Sequence, residues 1–180
     1  MNIRIISGKF GGRQIKSPDN SKTHPMGERI RNAIFNSLGT IIQDADVLDA
    51  FAGTGAVGLE AISRGAKSAT FIERDRLAQK ILTQNINTVG ANSQSTIIRA
   101  SVSNWIKTSK DLSYDVIFAD PPYYDTQFST ITSLFGLLKP NAYMILSHPG
   151  RSELPTKTGV VVVDNRSYGN AVLTFYRRIE

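Results

Sequence analysis

Residues 47–58, VLDAFAGTGAVG, constrain this chain more than any other stretch. Val47 and Leu48 lead to Asp49, and then come Phe51, Ala52, Gly53, Thr54 and Gly55. Leu59, Glu60, Ala61 and Ile62 continue as a helix, so the stretch reads as a strand that breaks into a glycine turn and opens a helix. Glycines at 53, 55 and 58 let the backbone turn sharply and bring its N–H groups against a ligand without Cβ clashes. The helix aims the positive end of its dipole at the same place. About 20 residues on, a second apolar strand ends in Glu73, a carboxylate placed to accept from ribose hydroxyls. The pattern indicates a nucleoside-cofactor site. The competing reading is that the glycines serve only a tight strand-to-helix turn.

Gly53, Gly55, Gly58 and Glu73 taken alone also match a dinucleotide fingerprint. Asp49, at the strand end, repels a pyrophosphate and attracts an ammonium. S-adenosylmethionine carries an ammonium and a sulfonium and has no phosphate. A further apolar strand ends in Asp120-Pro121-Pro122-Tyr123, which a dehydrogenase does not require. These acids place S-adenosylmethionine ahead of NAD. Asp49 is then expected near the ammonium, Gly53 and Gly55 against the cofactor's backbone, and Glu73 on the ribose. The stem of Arg74 is expected over the adenine, with Ser101 and Val102 at its edge and face. Phe51 reads equally as core or ligand-facing, whereas Trp105 shares an apolar helical stripe with Val102 and Ile106 and reads as core.

At 180 residues the chain fits one domain. It has no cysteine, and its two histidines, His24 and His148, are far apart, so neither a disulfide nor a metal centre is expected. No apolar run approaches a membrane span, and no signal-peptide core is visible at the N-terminus, so the expected address is the cytoplasm. The net charge of +6 suits a polyanion, and residues 1–31 carry seven Lys or Arg against two acids. A solvated basic tail is the plain alternative.

Two short strands, 3–7 and 13–17, flank the turn Gly8-Lys9-Phe10-Gly11-Gly12, with Phe10 either folded onto the hairpin or free to stack on a base. A polar loop covers 18–25, and a helix over 28–38 carries Arg29 and Arg31. Strands and helices then alternate at 47–51, 56–65, 69–73, 75–89, 95–100, 102–108, 114–119, 126–138 and 142–147, and runs at 160–163 and 171–176 form a closing hairpin. This predicts an α/β, Rossmann-like, mostly parallel seven-stranded sheet with a C-terminal antiparallel hairpin and a small N-terminal hairpin arm. Residues 1–25 form the arm and its loop, an appendage to a single domain whose helix and core occupy 26–180. Ligands in such sheets lie beyond the carboxyl ends of the strands, where Asp49, Glu73, Ser101 and Asp120 all fall.

With these residues in view, the chain resembles the RsmD family of 16S ribosomal RNA guanine-N2 methyltransferases. The likeness is carried by the opening Arg4-Ile5-Ile6-Ser7-Gly8-Lys9-Phe10-Gly11-Gly12-Arg13 and by the arginine helix. It continues through Asp49 to Gly55, Ile72-Glu73, Asp120 to Tyr123 and the closing Tyr168-Gly169. It implies a class I methyltransferase that uses S-adenosylmethionine on a guanine of 16S rRNA, in a small-subunit ribosomal particle; a monomer is expected. Asp120, Pro121, Pro122 and Tyr123 then form the catalytic loop, with Tyr123 a face for an extruded base. Arg4, Lys9, Arg13, Lys16, Arg29 and Arg31 hold RNA phosphates. Removal of residues 1–17 is accordingly expected to abolish RNA methylation and spare cofactor binding. His24-Pro25-Met26-Gly27, Ser101 and Ser147-His148 depart from residues common in the family. The rivals are an amino methyltransferase acting on adenine or glutamine, a non-catalytic RNA-binding assembly factor, and an NAD-dependent reductase.

Overall fold

The computed structural model of the chain describes residues 2–19, 26–151 and 153–180. His24 and most of the expected 18–25 loop lie outside them. The elements run β1 Asn2–Arg4, β2 Gln14–Lys16, α1 Glu28–Leu38, β3 Asp46–Asp49, α2 Ala56–Ser63, β4 Ser68–Ile72, α3 Arg76–Val89 and β5 Ser95–Ile98. They continue with α4 Val102–Ile106, β6 Tyr114–Ala119, α5 Phe128–Leu134, β7 Leu138–His148, β8 Val160–Tyr168 and β9 Ala171–Arg178.

Seven strands form one sheet in the order β5-β4-β3-β6-β7-β9-β8. The first five in that order pair in parallel, and β9 inserts antiparallel between β7 and β8. The strand order reverses beside β3, which has β4 on one side and β6 on the other. Open parallel sheets bind ligands at this reversal. One face is covered by the arm, α1, α2 and α3 through Ile5, Ile34, Leu59 and Leu82. The other is covered by α4 and α5 through Val102, Trp105, Ile131 and Leu134. Trp105 is core, as its stripe indicates.

The helix expected over 126–138 stops early. α5 ends at Leu134, a 3-10 turn spans Phe135–Leu137, and β7 begins at Leu138. Pro140 cannot continue a helix, and Asn141 sits at φ +65° where the pairing of β7 on β6 shifts register. Apolar periodicity reads through such a junction because both elements bury the same face.

The arm is part of the core. Ile5, Phe10 and Ile15 are buried in the same cluster as α1 and α2. Phe10 therefore folds inward, capped by Lys9 and Arg13 at 5.0 and 5.5 Å from its ring centre, and offers no free face to a base. The anchor is Glu60, wholly buried on α2, whose carboxylate accepts from the N–H groups of Ile6 and Ser7 at 2.9 and 3.1 Å. Arg64 donates to it at 2.9 Å, and Arg31 reaches to 3.5 Å. Arg31, expected at the RNA surface, is 1% exposed and also donates to the Arg4 carbonyl. Asn85 on α3 clamps the Lys16 backbone at both its N–H and its carbonyl, at 2.8 and 2.9 Å. Deleting residues 1–17 thus strips partners from buried polar groups of α2 and α3, which opposes a clean separation of RNA binding from cofactor binding.

A buried ion pair broken on one side costs about 3–5 kcal/mol. Glu60→Ala is expected to lower the melting temperature by roughly 6–20 °C in a scanning-calorimetry comparison with the parent chain. A fall below about 2 °C contradicts Glu60 as the anchor of the arm.

Candidate active site

Four strand ends build one cavity of about 890 Å³. Its lining includes Asp49 to Thr54 after β3, Glu73 and Arg74 after β4, Ser101 and Val102 after β5, and Asp120 to Tyr124 after β6. Met26, Gly27 and Ile30 from the α1 end, Ser147 from β7 and Ala171 from β9 complete the wall.

The glycine turn is held from both sides. Ala50 N–H donates to the Phe118 carbonyl at 3.0 Å, and Ala52 N–H donates to Ile72 at 2.9 Å. Gly55 lies at φ +86°, and a Cβ there would meet Leu82 Cδ1 at 2.5 Å, so the position demands glycine. Gly58 has a different reason: a Cβ would strike the Phe71 ring at 2.3 Å. It lets α2 close onto β4 rather than facing a ligand. Thr54 is buried, its carbonyl accepting from Asn85 at 2.9 Å, which ties the turn to the clamp on Lys16.

The acids are pinned by backbone donors. Asp49 Oδ2 accepts from Gly58 N–H at 3.0 Å. Glu73 accepts from Gly53 N–H at 3.0 Å and from Asp75 N–H at 2.8 Å. Burial pushes the Asp49 carboxyl up to about 7, against the Gly58 donor and with help from the charges on Asp120 and Glu73. Burial likewise raises Asp120 to about 6, opposed by a hydrogen bond from Ser147. β3 and β6 are neighbours, with Asp49 opposite Phe118 in register, so the two loops share one edge of the sheet.

Asp49, Glu73, Asp75 and Asp120 thus line one cavity in which Arg74 is the sole Lys or Arg among the described lining residues. Such a wall disfavours a pyrophosphate and suits a cationic ligand. Phe51 is half-buried and does both things open to it, lining the cavity while packing on the sheet. The Ser101 hydroxyl caps α4 by accepting from Asn104 N–H at 3.2 Å, so its turn toward a ligand competes with that bond. Tyr123 packs with its hydroxyl 2.6 Å from Ser147 Oγ, while Tyr124 is 81% exposed at the cavity wall. Among the described residues, no group of three or more His, Cys, Asp or Glu is placed to hold a metal ion. No helix among them is long and apolar enough to cross a membrane.

The basic residues divide in two. Arg4 pairs with Glu28 at the start of α1, Lys16 sits on the Asn85 clamp, and Arg29 lies 5.6 Å from the Tyr168 ring. All three are exposed. Lys9 bonds Gln94 at 2.7 Å and Arg13 bonds the Val89 carbonyl at 3.1 Å, both at the far end of α3. Asn85 and Val89 are about one turn apart on α3, and three residues part Arg13 from Lys16, so the two groups adjoin within about 10 Å along the hairpin. Ser147, Tyr124, Asn85 and Glu60 complete the constellation. Of these only Glu60 carries a local signal, as the lone acid in an otherwise apolar helix.

Residues 3–177 match the family described as conserved hypothetical protein 95. The chain is 31% identical over 180 residues to Ribosomal RNA small subunit methyltransferase D of Haemophilus influenzae, covering 97% of this chain and 93% of that one. It is 39% identical over 121 residues to the protein of the same name from Escherichia coli K12, a match spanning 67% of this chain and 60% of that relative's length. The solved structure of yhhF from Escherichia coli superposes with a TM-score of 0.90 at 32% identity over 99% of both chains. The chain belongs to the family described as conserved hypothetical protein 95, the RsmD family that its motifs resemble.

Proposed function

We propose that this chain transfers a methyl group from S-adenosylmethionine to the exocyclic N2 amine of a guanine in 16S rRNA, presented by a small-subunit ribosomal particle. The observation that carries the reading is the convergence of Asp49, Glu73 and Asp120 on one cavity at the strand-order reversal. The relatives named Ribosomal RNA small subunit methyltransferase D support rRNA as the substrate class.

The residues fit this cofactor. Asp49 is burdened by its burial and by the charges on Asp120 and Glu73, which an ammonium and a sulfonium relieve. Asp49 would hold the ammonium, Gly53 and Gly55 would admit the amino-acid portion, and Glu73 would take the ribose hydroxyls. Arg74, Ser101 and Val102 would meet the adenine. The bound cofactor supplies an electrophilic methyl group on sulfur.

The protein's own contribution is alignment. A guanine amine shares its lone pair with the ring and is a poor nucleophile. The Asp120 carboxylate and the Pro121 carbonyl accept its two N–H bonds, which turns the lone pair toward the methyl. Pro121 and Pro122 fix φ on both sides of that carbonyl and keep it aimed. Proximity of this kind supplies on the order of 7–11 kcal/mol in favourable cases. Asp120 then holds the amine's proton, and Tyr123 with Tyr124 offers aromatic surface to the extruded base. Arg4, Lys9, Arg13, Lys16 and Arg29, all exposed, hold RNA phosphates.

Asp120→Asn is expected to lower transfer of tritiated methyl to small-subunit particles by about a hundredfold or more, with particle binding retained. Equal labelling of DNA or a protein substrate by the parent chain contradicts the rRNA assignment.

The raised carboxyls also set a pH dependence. Asp49 binds its proton more tightly folded than unfolded, so this stabilising contribution is complete below about 4 and is lost as pH rises through about 7. The ammonium prefers the ionised acid, so S-adenosylmethionine is expected to raise the melting temperature more at pH 8 than at pH 5.5. The reverse order in a thermal-shift titration contradicts Asp49 as its partner.

Five cations on phosphates make RNA affinity fall by roughly a hundredfold to five-hundredfold between about 50 and 200 mM salt, read by fluorescence anisotropy. Salt-independent binding contradicts the phosphate contacts.

A further inference from the structure

Tyr168 and Gly169 stand at the turn between β8 and β9 and take no part in the chemistry above. Gly169 lies at φ +61°, and with Asn170 it makes the two-residue link from Tyr168 to its cross-strand partner Ala171. Residues directly opposite on an antiparallel pair point to the same face of the sheet. Ala171 lines the cavity, so the Tyr168 ring leaves the sheet on that face. It packs against the same core cluster as Met26 and Ile30, two further residues of the cavity wall.

Arg29, next in sequence to Ile30, is exposed and holds its guanidinium carbon over the Tyr168 ring, 5.6 Å from the ring centre. The arginines around it are committed elsewhere, Arg4 to Glu28 and both Arg31 and Arg64 to Glu60. Arg29 rests instead on an aromatic face, and among the described residues no carboxylate pairs with it. The difference matters for an anionic ligand. A carboxylate would neutralise the guanidinium and occupy its donors. A ring holds the group by its face, while the N–H donors, which lie in the guanidinium plane, stay available at the edge.

We propose that Tyr168 is a positioning residue for RNA, its ring holding the Arg29 guanidinium flat beside the cavity wall so that the N–H edge takes a phosphate of the strand that delivers the target nucleotide. This inference rests on the rRNA reading above and brings the C-terminal hairpin into it. Ile30 and Ala171 fix the place: one adjoins Arg29 along α1, the other faces Tyr168 across the hairpin, and both line the cavity. A long side chain ordered before RNA arrives loses less freedom on binding. A planar fork also takes two phosphate oxygens at once, which fixes the direction of the strand as well as its distance.

The test is a double-mutant cycle on the affinity of the fluorescently labelled full chain for small-subunit ribosomal particles. Arg29→Ala is expected to weaken binding by about tenfold or more, and Tyr168→Leu by about twofold to fivefold. Tyr168→Phe keeps the aromatic face and is expected to bind as the parent does. Tyr168→Leu added to Arg29→Ala is expected to cost nothing further, because the ring acts through the arginine. An equal loss from Tyr168→Leu in both backgrounds overturns the proposal, as does parental affinity in Tyr168→Leu with an unchanged melting temperature. Nitrogen-15 relaxation of the Arg29 Nε–H in the parent chain without RNA gives a readout that needs no variant at position 168. It is expected to be markedly more ordered than the Nε–H of exposed Arg76, and equal mobility of the two overturns the proposal. A parent chain that binds no particle overturns the rRNA reading together with this inference, whereas particle binding indifferent to Arg29→Ala overturns this inference alone.

Discussion

The site depends on one hydrogen bond, from Gly58 N–H to the Asp49 carboxylate at 3.0 Å. Helix α2 begins after Gly55, a residue forced to be glycine by its positive φ and by Leu82, and glycine has no side chain with which to cap a helix. The first-turn N–H groups still need acceptors. Asp49, ending the preceding strand, supplies the missing cap from outside the helix. The cost is a carboxylate shut away from water, and that cost makes the cavity receptive to a cation. Folding and ligand preference thus share one side chain.

A second buried carboxylate has the same character. Glu60 collects two backbone N–H groups of the arm and two arginines, so the arm, α1 and α2 meet on one anion. Asn85 joins the arm to the glycine turn from the other side, through Lys16 and Thr54. The basic surface is therefore mounted on the elements that shape the cofactor cavity. Its exposed cations, spread over the hairpin and α1, suit an extended polyanion better than a single nucleotide.

The strand-and-helix alternation was legible because the central strands β3 and β6 are largely buried apolar runs that stop at an acid. The shared edge of Asp49, Glu73, Ser101 and Asp120 followed from that alternation. Arg31 was misread because charge in a basic segment indicates exposure, and Phe10 stayed open between hairpin and base because an aromatic in a glycine turn fits both. Burial of each depends on a partner more than twenty residues distant, Glu60 for Arg31 and Ser63 for the Phe10 backbone. The junction of α5 with β7 was hidden by continuous apolarity. Ser147 was visible only as a departure from residues common in the family, because its contact with Tyr123 is made across two neighbouring strands.

The central claim is that the cofactor's methyl is seated between the glycine turn and the Asp120 loop. A crystal structure of this chain with S-adenosylhomocysteine tests it most directly. The account predicts ribose hydroxyls on Glu73, the ammonium on the Asp49 side and the sulfur facing the Asp120 loop across open cavity. Homocysteine directed away from that loop, or adenine lodged against Pro121 and Tyr123, would contradict it.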